Sequence, residues 1–284
     1  MRNCSTMYTL AGRTAILTGA SRGIGLYIAR ALAREQMNLV LAARSAAELE
    51  EIAGEARAQC VKAVAVPTDV ADRTALEALV IVANREFGVI DVLVNNAGVA
   101  RPTAYEKLSP EAIEHTIRVN LTAPMLLTWM VLPGMLARRC GHIVNMSSLA
   151  GKMGTPYTEP YAATKAGLIG FTESLRVEYK GKGVSASVIC PGFVRDAGIA
   201  EQFSAELAAP RLLGMVSPEA VARAVVRAIK EDIPEIIVNP TPVRLLTILA
   251  EFSPLLGEGV LRCVGVADLF RRAAELVDKE RGAT

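Results

Sequence analysis

Residues 18–25 read TGASRGIG and follow directly on the apolar run TAILTG over 14–19. Gly19 permits a tight turn off a strand, while Gly23 and Gly25 let backbone approach a pyrophosphate and a helix approach a sheet. A helix starting near Ile24 would aim its free N–H groups and positive dipole end at phosphates. Glycine-rich turns often serve only backbone geometry. Here it is the order of strand, glycine turn and helix that predicts a dinucleotide site.

Working outward, short apolar and β-branched runs recur: NLVLAAR (38–44), AVAVPTDV (63–70), DVLVNNAG (91–98), HIVNMSS (142–148), VSASVICPG (184–192) and EIIVNP (235–240). They are continuous rather than alternating, as expected of strands covered on both faces. Segments long enough for crossover helices separate them; AAELEEIAGEARAQ (46–59) has apolar and charged faces. Strand then helix, repeated, predicts an α/β fold, a Rossmann-like doubly wound parallel sheet of about seven strands with helices on both faces. Residues 1–240 are expected to form the dinucleotide-binding and catalytic domain. Residues 241–284 are expected to form a helical C-terminal extension on or near the substrate site or an interface; docking of this apolar tail on a membrane surface is the alternative.

Half of the 284 residues are apolar, about a fifth are charged and the formal net charge is +2. This balance favours a large buried core and gives no basic surface for nucleic acid. Leu121 to Ala137 carries no charge over seventeen residues but holds Pro124 and Pro133 in mid-chain, and reads as a buried or subunit-interface helix. The cysteines at 4, 60, 140, 190 and 263 form no CxxC pair, so reduced thiols, no zinc site and a cytoplasmic location are expected. The N-terminal MRNCSTMYTLAG lacks the apolar core of a signal peptide.

The second strand ends LAARS, offering Ala43 and Arg44 where an acid would hold a ribose 2′-hydroxyl. A guanidinium binds a 2′-phosphate bidentately, and Arg22 in the glycine loop lies close enough to help, so NADP(H) is expected over NAD(H). Further along, Tyr161-Ala162-Ala163-Thr164-Lys165 places a phenol and an ammonium on one helix face. Two unit charges near 4 Å interact by about 4 kcal/mol at an effective dielectric of 20, roughly three pK units, enough to bring a phenol towards neutral pH. Ser148 lies thirteen residues earlier at the end of HIVNMSS, where ligands gather in open α/β sheets. Ser147 is its rival, and register from Tyr161 favours Ser148.

With TGASRGIG, NNAG (95–98), Asn120, Ser148, YAATK and PG (191–192) in this order, the chain resembles the short-chain dehydrogenase/reductase family over residues 12 to about 240, and within it the NADPH-dependent ketoreductases. The resemblance implies Tyr161 as general acid in reduction, with Lys165 lowering its pKa and holding the nicotinamide ribose. It also implies Ser148 on the substrate carbonyl and Asn120 on the water of a proton relay. The implied cofactor contacts are Gly19, Ser21, Arg22, Gly23, Ile24, Gly25, Arg44, Asp69, Val70, Asn96, Ala97, Gly98, Tyr161, Lys165, Pro191, Gly192 and Val194. A homo-oligomer, dimer or tetramer, is implied as well. After Pro191-Gly192 the chain departs from the family pattern, offering Arg195 and Asp196 where a threonine is common; the tail beyond 240 is also longer and more apolar.

Reduction of a ketone or aldehyde to an alcohol is the expected function. The pocket is expected to be lined by the loop after Ser148, by FVRDAGIAEQFSAELAAPRLLGMV (193–216) and by the tail, and to suit an apolar substrate. A 3-oxoacyl-carrier-protein reductase-like activity, a membrane-associated lipid carbonyl reductase and a turnover-free NADP-binding sensor are the alternatives. A Ser-His-Asp hydrolase lacks the GxSxG elbow, and His115 and His142, without metal-type neighbours, read as structural. Tyr157, beside Glu159 in TPYTEP, either shapes the pocket or packs.

Overall fold

The seven apolar runs become seven parallel strands in a computed structural model that describes residues 9–195, 213–263 and 265–282. The elements run β1 (Thr14–Thr18), α1 (Gly23–Arg34), β2 (Asn38–Ala43), α2 (Ala46–Ala58), β3 (Ala63–Pro67), α3 (Arg73–Phe87) and β4 (Val92–Asn95). Then come α4 (Pro110–Ile117), α5 (Ala123–Arg138), β5 (Gly141–Met146), α6 (Glu159–Tyr179), β6 (Val184–Pro191), α7 (Pro218–Glu231) and β7 (Glu235–Val238). Three further helices close the described chain: α8 (Arg244–Phe252), α9 (Pro254–Cys263) and α10 (Val266–Gly282).

Strand order is β3-β2-β1-β4-β5-β6-β7. The order reverses between β1 and β4, and the crevice at that switch point is where ligands bind in open α/β sheets. Continuous apolar strands follow from burial on both faces: Ala15 and Leu17 of β1 pack with α1, α2 and α7, whereas Ile16 packs with α3 and α5 on the other side.

The uncharged stretch 121–137 ends in α5, whose Leu127, Thr128, Val131 and Met135 are buried, while Trp129 is 64% exposed. It belongs to one continuous helix, Pro110–Arg138, which has the length and composition to cross a membrane but is nearly half buried. A π-helical stretch, Arg118–Thr122, joins α4 to α5 within it and carries Asn120. Such bulges leave the regular ladder by one residue and gather at functional sites.

Cys60, Cys190 and Cys263 are free thiols, whereas Cys140 is disulfide-bonded. This corrects the expectation of reduced thiols throughout. The spacing test detects only pairs close in sequence, and a bridge between distant segments leaves no such mark.

Candidate active site

The turn after β1 is built for close approach. Gly19 has a left-handed φ of +65°, and a Cβ there would lie 2.8 Å from the Ala97 Cα; a Cβ on Gly25 would land on the Gly19 carbonyl oxygen. The Thr18 hydroxyl accepts from the backbone N–H of Asn96 (3.0 Å) and Ala97 (3.1 Å), and the Asn96 amide donates back to the Thr18 and Gly19 carbonyls at 3.0 and 3.1 Å. The two strand ends flanking the switch point are thereby locked together. Helix α1 begins without a side-chain cap and with no acid in its first turn. Its first residues, which carry the helix's orphan N–H groups, line the cavity together with Ser21 and Arg22.

A single cavity of about 620 Å³ runs from this turn across the switch point. At one end lie Ala43, Arg44, Ser45, Glu48, Asp69 and Val70; Asn96, Ala97 and Gly98 form the middle, and Ser148, Tyr161, Lys165, Pro191, Gly192 and Val194 the far part. Every candidate site residue except Asn120 therefore lines one space. Arg22 and Arg44 are exposed and make no ion pair or hydrogen bond among the described residues. The uncapped helix and the glycine positions where a Cβ would clash fit a dinucleotide, and two guanidiniums unpaired among the described residues stand beside it.

Asn120 is fully buried behind the wall. Its carboxamide accepts from Val99 N–H (2.8 Å) and donates to the Val99 carbonyl (2.8 Å) and to Thr164 Oγ1 (3.3 Å). It thus ties the segment leaving β4 to α6.

The two serines part cleanly. Ser147 donates to the Lys165 carbonyl at 2.7 Å and is buried, so its hydroxyl is committed to structure. Ser148 accepts from Ala150 N–H at 3.1 Å, which leaves its hydroxyl hydrogen available to a ligand. It stands near enough to the Tyr161 phenol to draw its pKa down.

On α6, Lys165 donates to the Met146 carbonyl at 2.6 Å, and its ammonium lies 5.5 Å from the centroid of the Tyr161 ring. Burial pushes the Tyr161 phenol up to about 12, with Ser148 pulling it back only in part, and burial pushes Lys165 down to about 8. The sequence argument expected the reverse for the phenol. Desolvation outweighs charge attraction here, because the ammonium is spent on a backbone carbonyl and meets the ring rather than the hydroxyl. The result is a phenol held protonated across the neutral range, beside a cation held at the edge of losing its charge.

Beyond the sequence reading, Thr68 and Met153 line the cavity, as does His115, which reads in the sequence as structural; from the tail, expected at the pocket, come Leu261, Val266 and Phe270. His115 sits on α4, where helical periodicity alone marks no cavity. Tyr157 does not line the cavity. It has a left-handed φ of +63°, gives its N–H to Glu159 (3.0 Å) and packs in an apolar cluster with the tail. Asp196 and the rest of 196–212 lie outside the described residues.

A family model described as short chain dehydrogenase matches residues 13–208. Ketoacyl reductase HetN of Nostoc sp. (strain PCC 7120 / SAG 25.82 / UTEX 2576) is 42% identical over 274 residues, 95% of each chain. A 3-oxoacyl-(acyl-carrier-protein) reductase of Synechocystis sp. (strain ATCC 27184 / PCC 6803 / Kazusa) is 39% identical over 189 residues, 66% of this chain and 76% of its own. A solved metagenomic short-chain oxidoreductase in complex with NADP superimposes with a TM-score of 0.71 at 34% identity, over 82% of this chain and 99% of its own. Sheet order, matched core and relatives agree: the chain belongs to the short-chain dehydrogenase family and is a nicotinamide-dependent oxidoreductase of the ketoreductase type.

Proposed function

We propose that the protein reduces the ketone of an acyl-type substrate with NADPH, Tyr161 supplying the proton. The observation that carries this reading is the shared cavity, which joins two unpaired guanidiniums, Arg22 and Arg44, to the Ser148–Tyr161–Lys165 cluster. The names of the relatives, ketoacyl and 3-oxoacyl reductases, support the acyl ketone.

A bound nicotinamide supplies the hydride. The chain's own groups manage the oxygen. The Ser148 hydroxyl and the Tyr161 phenol donate to the substrate carbonyl, and their hydrogen bonds strengthen as negative charge grows on that oxygen. Tyr161 then gives up its proton, and the hydride on carbon and the proton on oxygen together complete the alcohol. Lys165, donating to the Met146 carbonyl, holds its ammonium 5.5 Å from the centroid of the Tyr161 ring, a cation beside the ring on which negative charge develops.

The test is turnover of 3-oxoacyl N-acetylcysteamine thioesters followed by NADPH absorbance, with NADH in parallel. Faster reduction with NADPH is expected, the margin shrinking at least tenfold in Arg44→Asp, and Tyr161→Phe is expected to lose at least a hundredfold in kcat. Equal rates with NADH overturn the cofactor assignment. Full turnover by Tyr161→Phe overturns the proton donor.

A further inference from the structure

The tail is not an appendage beside the site; it is part of the site's wall. Leu213, Val243, Val266 and Phe270 form a buried apolar cluster against Leu149, Phe193 and Leu261. Leu149, Phe193, Leu213, Leu261, Val266 and Phe270 of this cluster also line the cavity that holds Ser148 and Tyr161. The rings of Phe193 and Phe270 lie 6.3 Å apart, joining the segment after β6 to α10 across the cavity.

The seat is fixed at several points. Lys107 pairs with Asp278 of α10 at 2.5 Å, and Lys152, in the loop after Ser148, lies 3.9 Å from Glu251 of α8. Asn239 donates to the Leu213 carbonyl (3.0 Å) and to Thr241 Oγ1 (2.8 Å), tying the chain entering α7 to the start of the tail. Among the charged lining groups, Arg22, Arg44, Glu48 and Asp69 belong to the nucleotide end and Lys165 to the catalytic cluster, while the described residues of the tail contribute Leu261, Val266 and Phe270. The family match ends at residue 208, so this wall is additional to the matched core.

Resting on the reductase reading, we propose that α9 and α10 form the distal wall of the substrate site, and that Phe270 and Leu261 select carbonyl compounds bearing a long apolar arm. With the carbonyl between Ser148 and Tyr161, an arm that runs to Phe270 exchanges water for apolar side chains. Each methylene reaching the wall should tighten binding about three- to fourfold.

The experiment titrates 2-pentanone and 2-nonanone into the NADP⁺-loaded full-length protein by calorimetry and follows NADPH-driven reduction of the same ketones. In the wild type, 2-nonanone should bind at least thirtyfold tighter than 2-pentanone. Phe270→Ala should cut that ratio at least fivefold with NADP⁺ affinity unchanged. Leu261→Gln, at a half-buried position where the fold is less at risk, should cut it as well. A wild type without chain-length preference, or variants that keep the full ratio, overturns the inference. If the preference and its loss in the variants are seen but neither ketone is reduced, the reductase reading fails and the wall assignment stands. If both ketones are reduced and the variants keep the ratio, the wall assignment fails and the reductase reading stands.

Discussion

Two adjacent hydroxyls, those of Ser147 and Ser148, show how finely the site is divided. Ser147 satisfies the Lys165 carbonyl in a buried setting, and removing one partner of a buried hydrogen bond costs about 1–3 kcal/mol. Ser148 also lines the cavity, but among the described residues its hydroxyl only accepts, from Ala150 N–H, and it lowers the Tyr161 pKa. Ser147→Ala should therefore lower stability in urea titration by about 1–3 kcal/mol and leave kcat within a few-fold. Ser148→Ala should do the opposite, cutting kcat roughly a hundredfold with unchanged NADPH affinity. Equal kinetic damage from both would remove the distinction. Register from Tyr161 favours Ser148 in the sequence; what register does not show is that the Ser147 hydroxyl is committed to the Lys165 carbonyl of α6. The protonation of Tyr161 was not legible. Spacing supplied the attractive charge, but burial and the diversion of Lys165 to the Met146 carbonyl are properties of the packed site.

At the scale of elements, the strands were readable because burial on both faces of a parallel sheet demands continuous apolar runs, and 14–19 or 184–192 allow nothing else. The TGASRGIG turn was readable because its geometry needs glycine. Gly25→Ala would drive a methyl onto the Gly19 carbonyl, crowding Asn96 Nδ2 at 2.9 Å as well. It should cost about 1–3 kcal/mol of stability and weaken NADPH binding, read by fluorescence titration, at least tenfold. Gly54→Ala in α2 is the matched control. The nearest atom to its new methyl is Arg57 Nη2 at 3.9 Å, so the substitution should stabilise by up to about 1 kcal/mol and leave cofactor binding unchanged. If both variants bind NADPH like the wild type, close approach at Gly25 has no bearing on the nucleotide. Less readable was α4–α5. Hydropathy marked the uncharged stretch but not the π-helical step that buries Asn120 and commits its amide to Val99.

The whole molecule is held by contacts that no local pattern announces, and His142 is one of them. It reads in the sequence as a structural residue at a strand start; the fold buries it and sets its Nε2 2.9 Å from Ser187 Oγ. Because Ser187 donates to the Ile233 carbonyl at 2.6 Å, the imidazole is the donor in that pair. Asp232 would favour its charged form, but that carboxylate is paired with Arg176 at 2.7 Å, and burial prevails, lowering the pKa to about 4 from an ordinary 6.5. Between those values the unfolded chain binds the proton and the native one does not, so stability rises with pH through that window. The contribution is fully present above pH 6.5 and is lost as pH falls to about 4, a total of about 3 kcal/mol. Carboxylates titrate over the lower part of the same range, so the measurement is a difference. Urea unfolding of the wild type and of His142→Gln at pH 7, 5.5 and 4.5 should show the wild type losing about 2–3 kcal/mol more than the variant as pH falls, whatever the variant's absolute stability. Parallel pH dependences would mean that His142 is charged in the native state, and the buried neutral imidazole linking β5, β6 and the turn before β7 would have to be abandoned.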